Sequence, residues 1–460
     1  MEPIILTIFI LGYFAITIEH SLKVDKLVPA LLMMALAWAC VANGIGDFEN
    51  WFDSANHEMV KGFANLPMDG HHGSASKMGW LESTLLHHFG KTCEILIFLV
   101  GAMTIVEIID HFNGFSTIKR FIKTNKKRSL LWIMCILAFI LSAIIDNLTA
   151  TIVLVTILRK LVPENKDRIW FAGLIIIAAN AGGAWSPIGD VTTTMLWMGK
   201  KVSTIELIKL LIVPSLFCMI IPTIIASFLS PFKGNFEAPP SQGEDNSKGP
   251  LMLYLGLSLI VFVPIFKTLT HLPPYVGMML SLSIVALVAE IISSRQFSIT
   301  GIEGQLEKQE NAHHNSPTFG ALSKIEMPSI LFFLGILMTV AALESLGLIF
   351  NFGKDVQETI PIDLFVMLLG VGSAVIDNVP LVAASMGMFT LEMDNATWHF
   401  IAYAAGTGGS MLIIGSAAGV VAMGMEKISF FWYLKKIGWL ALIGYLTGAG
   451  VFLLTQQYFF

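Results

Sequence analysis

The stretch 142–149, Ser-Ala-Ile-Ile-Asp-Asn-Leu-Thr, occurs a second time at 373–380 as Ser-Ala-Val-Ile-Asp-Asn-Val-Pro. Both copies lie in strongly apolar surroundings, where an unpaired carboxylate is costly. Ionisable groups inside membrane segments are therefore candidates for an ion or substrate pathway. Two copies in one chain predict two related scaffolds, each built around one Asp-Asn pair.

The composition points to a membrane protein. Of the 460 residues, 55 % are hydrophobic and only 13 % are charged, whereas about a quarter of the residues in soluble domains are charged. The net charge of −5 gives no reason to expect a nucleic-acid partner. The four cysteines stand at irregular spacing in apolar runs, which fits neither a disulfide framework nor a zinc site. No phosphate-binding loop or catalytic nucleophile motif is present, so we expect a transporter without a cofactor rather than an enzyme.

The apolar segments predict an all-α polytopic fold. Runs of about 17 to 25 apolar residues can cross a bilayer as helices. Two further apolar stretches, 129–161 and 361–393, are interrupted near their midpoints by the Asp-Asn pairs, which predicts re-entrant helical hairpins. We expect about ten spans besides these hairpins, at roughly 3–19, 27–43, 93–110, 168–199, 204–231, 250–267, 273–293, 328–350, 398–425 and 430–455.

The internal repeat extends beyond the hairpins. Residues 178–184, Ala-Ala-Asn-Ala-Gly-Gly-Ala, match residues 404–410, Ala-Ala-Gly-Thr-Gly-Gly-Ser. Paired glycines inside a span, followed in the first half by Ser186-Pro187, predict a broken helix, because glycine permits non-helical angles and proline removes a backbone donor. Likewise Gly101 corresponds to Gly335.

These matches divide the chain into a first repeat at 1–232, a linker at 233–249 and a second repeat at 250–460. Each repeat has five spans and one hairpin. With the N-terminus outside, 20 of the 28 basic residues fall in cytoplasmic loops, as the positive-inside rule favours. The two repeats then have opposite orientations. Residues 44–92 are predicted to be an outer linker, with an amphipathic helix near 80–90.

The tip carboxylates are the strongest candidates for ion binding. Asp146 and Asp377, with Asn147 and Asn378 beside them, would form a Na⁺ site, because hard cations prefer oxygen ligands. Thr149 and Thr151 would add neutral oxygens to it. A capping role explains one exposed Asp-Asn pair, but not two pairs buried in apolar stretches.

Other polar residues cluster around the two predicted breaks. Each could instead cap a half-helix or bond back to its own helix. Asp190 has the stronger claim to function because burying a carboxylate is costly. The remaining candidates are Asn180, Thr192, Thr193, Ser373, Thr407, Ser410 and Ser416.

On the Asp-Asn tips and the run from Asn180 to Asp190, the chain resembles the NhaD-type sodium/proton antiporters of the ion transporter superfamily. The resemblance covers about residues 1–455. It implies a homodimer in the bacterial inner membrane, with a moving domain that carries the hairpins. It also implies exchange of cytoplasmic sodium or lithium for external protons. Related dicarboxylate transporters have Ser-Asn-Thr at these tips, and Pro380 stands where the first tip has Thr149.

The residues leave rival functions open. An anion, dicarboxylate or metalloid transporter could use the same scaffold, although two fixed carboxylates would repel a dianion. A receptor or scaffold protein without transport would tolerate replacement of the buried acids. For antiport, a proton and a cation would compete for the same carboxylate oxygens, since burial disfavours an unneutralised charge.

Overall fold

A computed structural model describes residues 1–19, 23–56, 58–68, 76–119, 122, 124–235, 248–300 and 316–459. Most of the predicted linker 233–249 lies outside these residues. The described part is almost entirely helical, as the apolar sequence predicts. One antiparallel hairpin joins β1 (Phe52–Asp53) and β2 (Glu58–Met59), with Phe52 opposite Met59.

The first half contains nine helices among the described residues. They are α1 (Glu2–Thr17), α2 (Leu27–Gly44), α3 (Lys77–His111), α4 (Ser116–Lys119), α5 (Lys127–Ile145), α6 (Asn147–Leu161), α7 (Asn165–Ala184), α8 (Val191–Met198) and α9 (Thr204–Phe228). Short 3₁₀ turns occur at Phe63–Asn65 and Ser230–Phe232.

The second half contributes eleven helices to the part of the chain that is described. They are α10 (Gly249–Thr270), α11 (Pro274–Thr300), α12 (Pro317–Leu322), α13 (Met327–Ser345), α14 (Leu348–Thr359), α15 (Ile362–Gly372), α16 (Asn378–Met388), α17 (Ala396–Gly408), α18 (Ala417–Glu426), α19 (Phe430–Tyr433) and α20 (Trp439–Phe459). A π-helical turn, Leu434–Gly438, joins the last two.

The prediction of an all-α, multi-pass membrane protein is confirmed, but the number of unbroken spans differs. Eight helices within the described residues are long and apolar enough to cross a membrane, against about ten expected. Helix α1 has only 16 residues, and the predicted spans 168–199 and 398–425 are each divided into two shorter helices, as their glycine pairs indicate. Helix α5 reaches span length although it forms one arm of a predicted hairpin.

Helix α3 begins earlier than the sequence predicts. It runs unbroken for 35 residues from an N-cap at Ser76, whose hydroxyl accepts a hydrogen bond from the Gly79 amide at 3.1 Å. At about 1.5 Å per residue it is about 52 Å long, well beyond the hydrocarbon thickness. The expected separate helix near 80–90 is therefore the first part of α3.

The helices pack in two groups. In the outer group, α2 packs on α1 and α13, α3 packs on α11 and α13, and α10 packs on α11. In the hairpin group, α5 and α6 pack on α7, α15 packs on α17, α9 packs on α20, and α7 packs on α17. The segments 171–184 and 396–408 of α7 and α17 are wholly buried, so these two helices form the centre of the hairpin group.

The matched glycines Gly101 and Gly335 make reciprocal contacts between the halves. A Cβ on Gly101, in α3, would lie 2.7 Å from Met278 Cγ in α11. A Cβ on Gly335, in α13, would lie 2.7 Å from the Ala30 carbonyl carbon in α2. The third long helix of each half therefore packs closely on the second long helix of the other half.

Candidate functional site

The first Asp-Asn pair lies where α5 ends and α6 begins. Asp146 has a φ of 81°, in a region that residues other than glycine rarely adopt. Its carboxylate accepts hydrogen bonds from the Thr149 amide at 2.8 Å and from the Thr149 hydroxyl at 2.9 Å. Asp146 is therefore an N-cap as well as a half-buried acid, and Thr149 lies beside it as the sequence predicts.

The second pair lies in the break between α15 and α16. Asp377 accepts a hydrogen bond from the Val379 amide at 3.3 Å, which makes it the N-cap of α16. Its other oxygen is 3.2 Å from Nζ of Lys26, the residue that precedes α2 in the outer group. The two tips thus have the same Asp-Asn sequence but different charged neighbours. Of the two tip aspartates, only Asp377 contacts a lysine among the described residues.

The acid that both tips contact is Asp190. Asn147 donates a hydrogen bond from Nδ2 to Asp190 Oδ1 at 3.0 Å, and Asn378 donates one to Asp190 Oδ2 at 3.2 Å. The Thr192 hydroxyl also donates to the carboxylate. The residue is only 4 % exposed. One buried carboxylate thus holds together the two asparagines, which are separated by more than half of the chain.

A second branch of this network crosses to the other broken helix. Asn147 Nδ2 also donates to Asn180 Oδ1 at 3.1 Å, and Asn180 donates to the Ser416 hydroxyl at 3.0 Å. Ser416 Oγ accepts a hydrogen bond from the Gly419 amide at 3.2 Å. All of these side chains are buried. The network therefore connects both tips and both helix breaks.

Close backbone contacts position each tip against its broken helix. A Cβ on Gly182 would lie 2.2 Å from the Phe139 carbonyl oxygen, and one on Gly408 would lie 2.0 Å from that of Gly370. Phe139 and Gly370 each stand three residues before the serine of their motif. Glycine is needed at both positions because a side chain would displace the hairpin.

The motif serines reinforce these contacts in the same way. Ser142 donates a hydrogen bond to the Ala179 carbonyl at 2.6 Å, and Ser373 donates one to the Ala405 carbonyl at 2.8 Å. Both acceptors lie the same number of residues before the first glycine of their glycine pair. Ser373 therefore anchors its hairpin, and Ser142, which we had not singled out, does the same in the first half.

The remaining candidates are four hydroxyls, three of which donate to nearby backbone carbonyls. Thr193 donates to the backbone carbonyl of Asp190 at 2.8 Å, next to the network. Thr407 donates to the Tyr403 carbonyl and Ser410 to the Thr407 carbonyl, both at 2.6 Å. These two hydroxyls thus bond back to their own chain segment. Thr151 is fully buried, and its hydroxyl has no hydrogen-bond partner in the described part of the structure.

A cavity of about 70 Å³ lies between the tips, large enough for a cation with a few waters. We call it the tip cavity. It is lined by Asp146, Asp190, Asp377 and Glu326, together with Lys26. With four carboxyl groups and one amine in its lining, the cavity is electrostatically better suited to cations than to anions.

Two larger cavities lie beyond the tip cavity. One, of about 420 Å³, is lined by Thr149, Lys119, Lys160 and Lys324 and shares Leu148 and Glu326 with the tip cavity. The other, of about 380 Å³, is lined by His88, Lys91, Lys201 and Glu344. The lysines of the first cavity are those that the sequence places in cytoplasmic loops, and the lysines of the second are those placed outside. We call them the Lys160 cavity and the His88 cavity.

Three relevant residues were not among our candidates. Lys26 and Glu326 look like ordinary loop charges because each lies just before an apolar helix, and only the fold brings them into the tip cavity. Ser142 could have been found, since it is identical to Ser373 in the repeated motif.

Comparisons with known proteins agree with this architecture. A sequence profile of the CitMHS family, described as "Citrate transporter", matches residues 13–399. "Sodium/proton antiporter 1" of Arabidopsis thaliana is 40 % identical, over 98 % of this chain and 72 % of the relative. "Na(+)/H(+) antiporter NhaD" of Alkalimonas amylolytica is 30 % identical, over 97 % of this chain and 89 % of the relative.

A solved structure shares the fold. The Alcanivorax borkumensis YdaH transporter, described as having an unusual topology, matches 92 % of this chain and 97 % of its own chain, with a TM-score of 0.55 and 13 % identity. At this identity the likeness concerns the fold alone.

Proposed function

This chain belongs to the CitMHS family of transporters and, by its NhaD relatives, to the NhaD-type sodium/proton antiporters, and we propose from that premise how its site exchanges the two ions. It is a secondary transporter that exchanges Na⁺ for H⁺ across a membrane. The observation that carries this assignment is the hydrogen bonding of Asn147 and Asn378 to the buried carboxylate of Asp190. A network of this kind fixes both tips at one small, acidic cavity.

The cation site that we propose uses both tips. An asparagine that donates from Nδ2 to Asp190 has its carbonyl oxygen on the opposite side of the amide. Asn147 and Asn378 both line the tip cavity, so these oxygens are available there. Together with the carboxylates of Asp146 and Asp377 they give an all-oxygen ligand set, which suits Na⁺ and Li⁺.

Exchange follows from competition between a proton and a cation. An empty tip cavity with its carboxylates charged is costly in a low-dielectric environment. Na⁺ neutralises the carboxylates on one side of the membrane, and protons displace it on the other side. Since the carboxylates are close neighbours, they would titrate as a coupled group rather than one by one.

The moving part that we propose is the hairpin group. Its helices pack mainly on one another, so it can shift as a unit against the outer group. We infer that α5–α6 and α15–α16 are re-entrant hairpins in oppositely oriented repeats, entered from the cytoplasm and from outside respectively. The Lys160 cavity is then the cytoplasmic route to the site. A homodimer in a bacterial inner membrane completes the proposal.

The test is transport by purified protein in liposomes that contain a pH-sensitive dye. With the lumen acidic, added Na⁺ or Li⁺ should drive proton efflux, and K⁺ serves as the comparison. Asp146→Asn and Asp377→Asn should abolish this signal, whereas Asp355→Asn, an exposed acid in α14, should leave it intact. Asparagine can still cap a helix, so a loss in the first two variants reflects charge rather than folding.

Failure of every cation to move protons with folded wild-type protein would contradict antiport. Citrate would then be tested, since the family profile is described as a citrate transporter. The four carboxyl groups of the tip cavity argue against that substrate, because a citrate trianion would be repelled at this site.

A further inference from the structure

Lys26 forms an ionic contact between the two helix groups. Its Nζ lies 3.2 Å from Asp377 Oδ2, and the two side chains are only 27 % and 19 % exposed. Lys26 precedes α2 in the outer group, whereas Asp377 is the N-cap of α16 in the hairpin group. The pair therefore spans the boundary across which the groups would move.

The surroundings hold the lysine at this boundary. Its ammonium group lies 4.4 Å from the centroid of the Phe332 ring in α13, a favourable cation–π distance. Glu326, just before α13, lines the tip cavity with it. Glu19, after α1, lines a neighbouring small cavity that also includes Lys26 and Asp377. Phe332, Glu326 and Glu19 thus provide favourable neighbours for the Lys26 ammonium group when Asp377 moves away.

We propose that Lys26 is an internal cation that occupies Asp377 whenever Na⁺ and H⁺ are absent, and that it thereby holds the empty carrier in place. This rests on the proposed function. In the empty state, the ionic contact ties the hairpin group to the outer group. Binding of Na⁺ or a proton neutralises Asp377 and removes the attraction. Only the loaded hairpin group is then free to move.

In this role Lys26 has two separable effects. It competes with Na⁺ for a carboxylate oxygen, so it weakens the apparent affinity for Na⁺. It also prevents the return of an empty site, so it ties each Na⁺ movement to a proton movement. A purely structural ion pair would have neither effect, because its loss would lower stability without improving the binding of Na⁺.

The experiment compares Lys26→Gln with wild type in liposomes, with ²²Na⁺ flux and proton flux recorded in parallel. Lys26→Gln should lower the KM for Na⁺ by at least about threefold, because a competing charge is removed. This variant should also show Na⁺ flux that is not matched by proton flux in the opposite direction. The matched control is Lys354→Gln, an exposed lysine in α14, which should change neither quantity.

Lys26→Arg supplies a second, independent measurement. Arginine keeps the charge and can make two parallel bonds to a carboxylate, so coupling should be retained and the KM for Na⁺ should rise. An unchanged KM and unchanged coupling in Lys26→Gln would overturn the proposal. If that variant does not fold, an unchanged KM in Lys26→Arg overturns it. Absence of exchange in wild type would instead overturn the proposed function.

Discussion

Asp190 and Ser416 occupy equivalent positions in the two broken helices, but only Ser416 caps the helix that follows. Their backbone angles nearly coincide, with φ and ψ of −150° and 149° for Asp190 and −144° and 151° for Ser416. The Ser416 hydroxyl accepts a capping hydrogen bond from the Gly419 amide, whereas the side chain of Asp190 makes no capping hydrogen bond. At the equivalent position of the first half, the capping serine is replaced by Asp190, whose carboxylate accepts hydrogen bonds from both tip asparagines.

This difference predicts the behaviour of Asp190→Ser. The variant should fold, because serine at the same backbone angles caps α18 in the second half and is a good N-cap in general. Cation-driven proton efflux should be lost, since Asn147 and Asn378 no longer share a carboxylate. Size-exclusion chromatography and transport in liposomes measure the two properties separately.

Ser416→Ala is the converse variant. It should lower stability by about 1 kcal/mol, the usual cost of a lost N-cap, while part of the transport activity remains. Full activity in Asp190→Ser would show that the carboxylate has only a structural role.

The close approach of the hairpins predicts that alanine is not tolerated at Gly408. Its Cβ would lie 2.0 Å from the Gly370 carbonyl oxygen, so the second hairpin would have to move. Overpacking of this kind typically costs about 1–3 kcal/mol. We expect a lower melting temperature in detergent and strongly reduced transport.

Gly424→Ala is the matched control for Gly408→Ala. This glycine also lies in a helix of the second half, and a Cβ there would have nothing within 4 Å. Alanine favours helices over glycine, so Gly424→Ala should melt at the same or a higher temperature. Equal stability of the two alanine variants would contradict the packing argument.

An ion cluster around a buried carboxylate gives a third prediction, on stability. Glu426, at the end of α18, has a fully buried side chain and is 2.7 Å from Arg159 and 3.0 Å from Arg168. Asn165 also donates to its carboxylate at 2.9 Å. Removing one member of a buried ion pair typically costs about 3–5 kcal/mol. Because Arg159 is 43 % exposed and can be solvated when its partner is lost, we expect Glu426→Gln to lower stability by an amount near the lower end of this range, measured by thermal unfolding.

Glu206→Gln provides the comparison for Glu426→Gln. Glu206 pairs with Lys209 at 3.2 Å on the surface of α9, where such pairs are worth at most about 1 kcal/mol. A large loss of stability in Glu206→Gln, or none in Glu426→Gln, would go against this assignment.

Competition between Na⁺ and H⁺ also fixes the sign of a pH effect. Raising the pH removes the competing proton, so the apparent KM for Na⁺ should fall as the pH rises, and transport at low Na⁺ should increase. Initial rates at a series of Na⁺ concentrations and pH values measure this. A KM independent of pH would indicate separate sites for the two ions.

The sequence predicted the features that are encoded locally. The Asp-Asn tips interrupt helices at both positions, and the glycine pairs after Asn180 and Thr407 end helices as expected. Glycine and N-cap preferences act over a few residues, and hydrophobic length requires no knowledge of neighbours. These signals were sufficient for the fold class and for locating the tips and the helix breaks.

What the sequence did not predict depends on tertiary contacts. Asp190 was ranked below Asp146 and Asp377, because nothing near it in the chain shows that Asn378 lies 3.2 Å away. Lys26 resembled a loop charge for the same reason. The start of α3 was missed because His87 and His88 lower the hydropathy of that segment, although polar residues do not prevent a helix from continuing.

The reciprocal contacts of Gly101 and Gly335 have a consequence for biogenesis. Helix α2 emerges from the ribosome before α13, so the surface around Ala30 that contacts Gly335 lacks this partner until α13 has been synthesised, about 300 residues later. Until then, α2 lies in the bilayer with that surface against lipid. Assembly of the first half is therefore completed only when most of the second half has been inserted, and the two halves reach their native packing together.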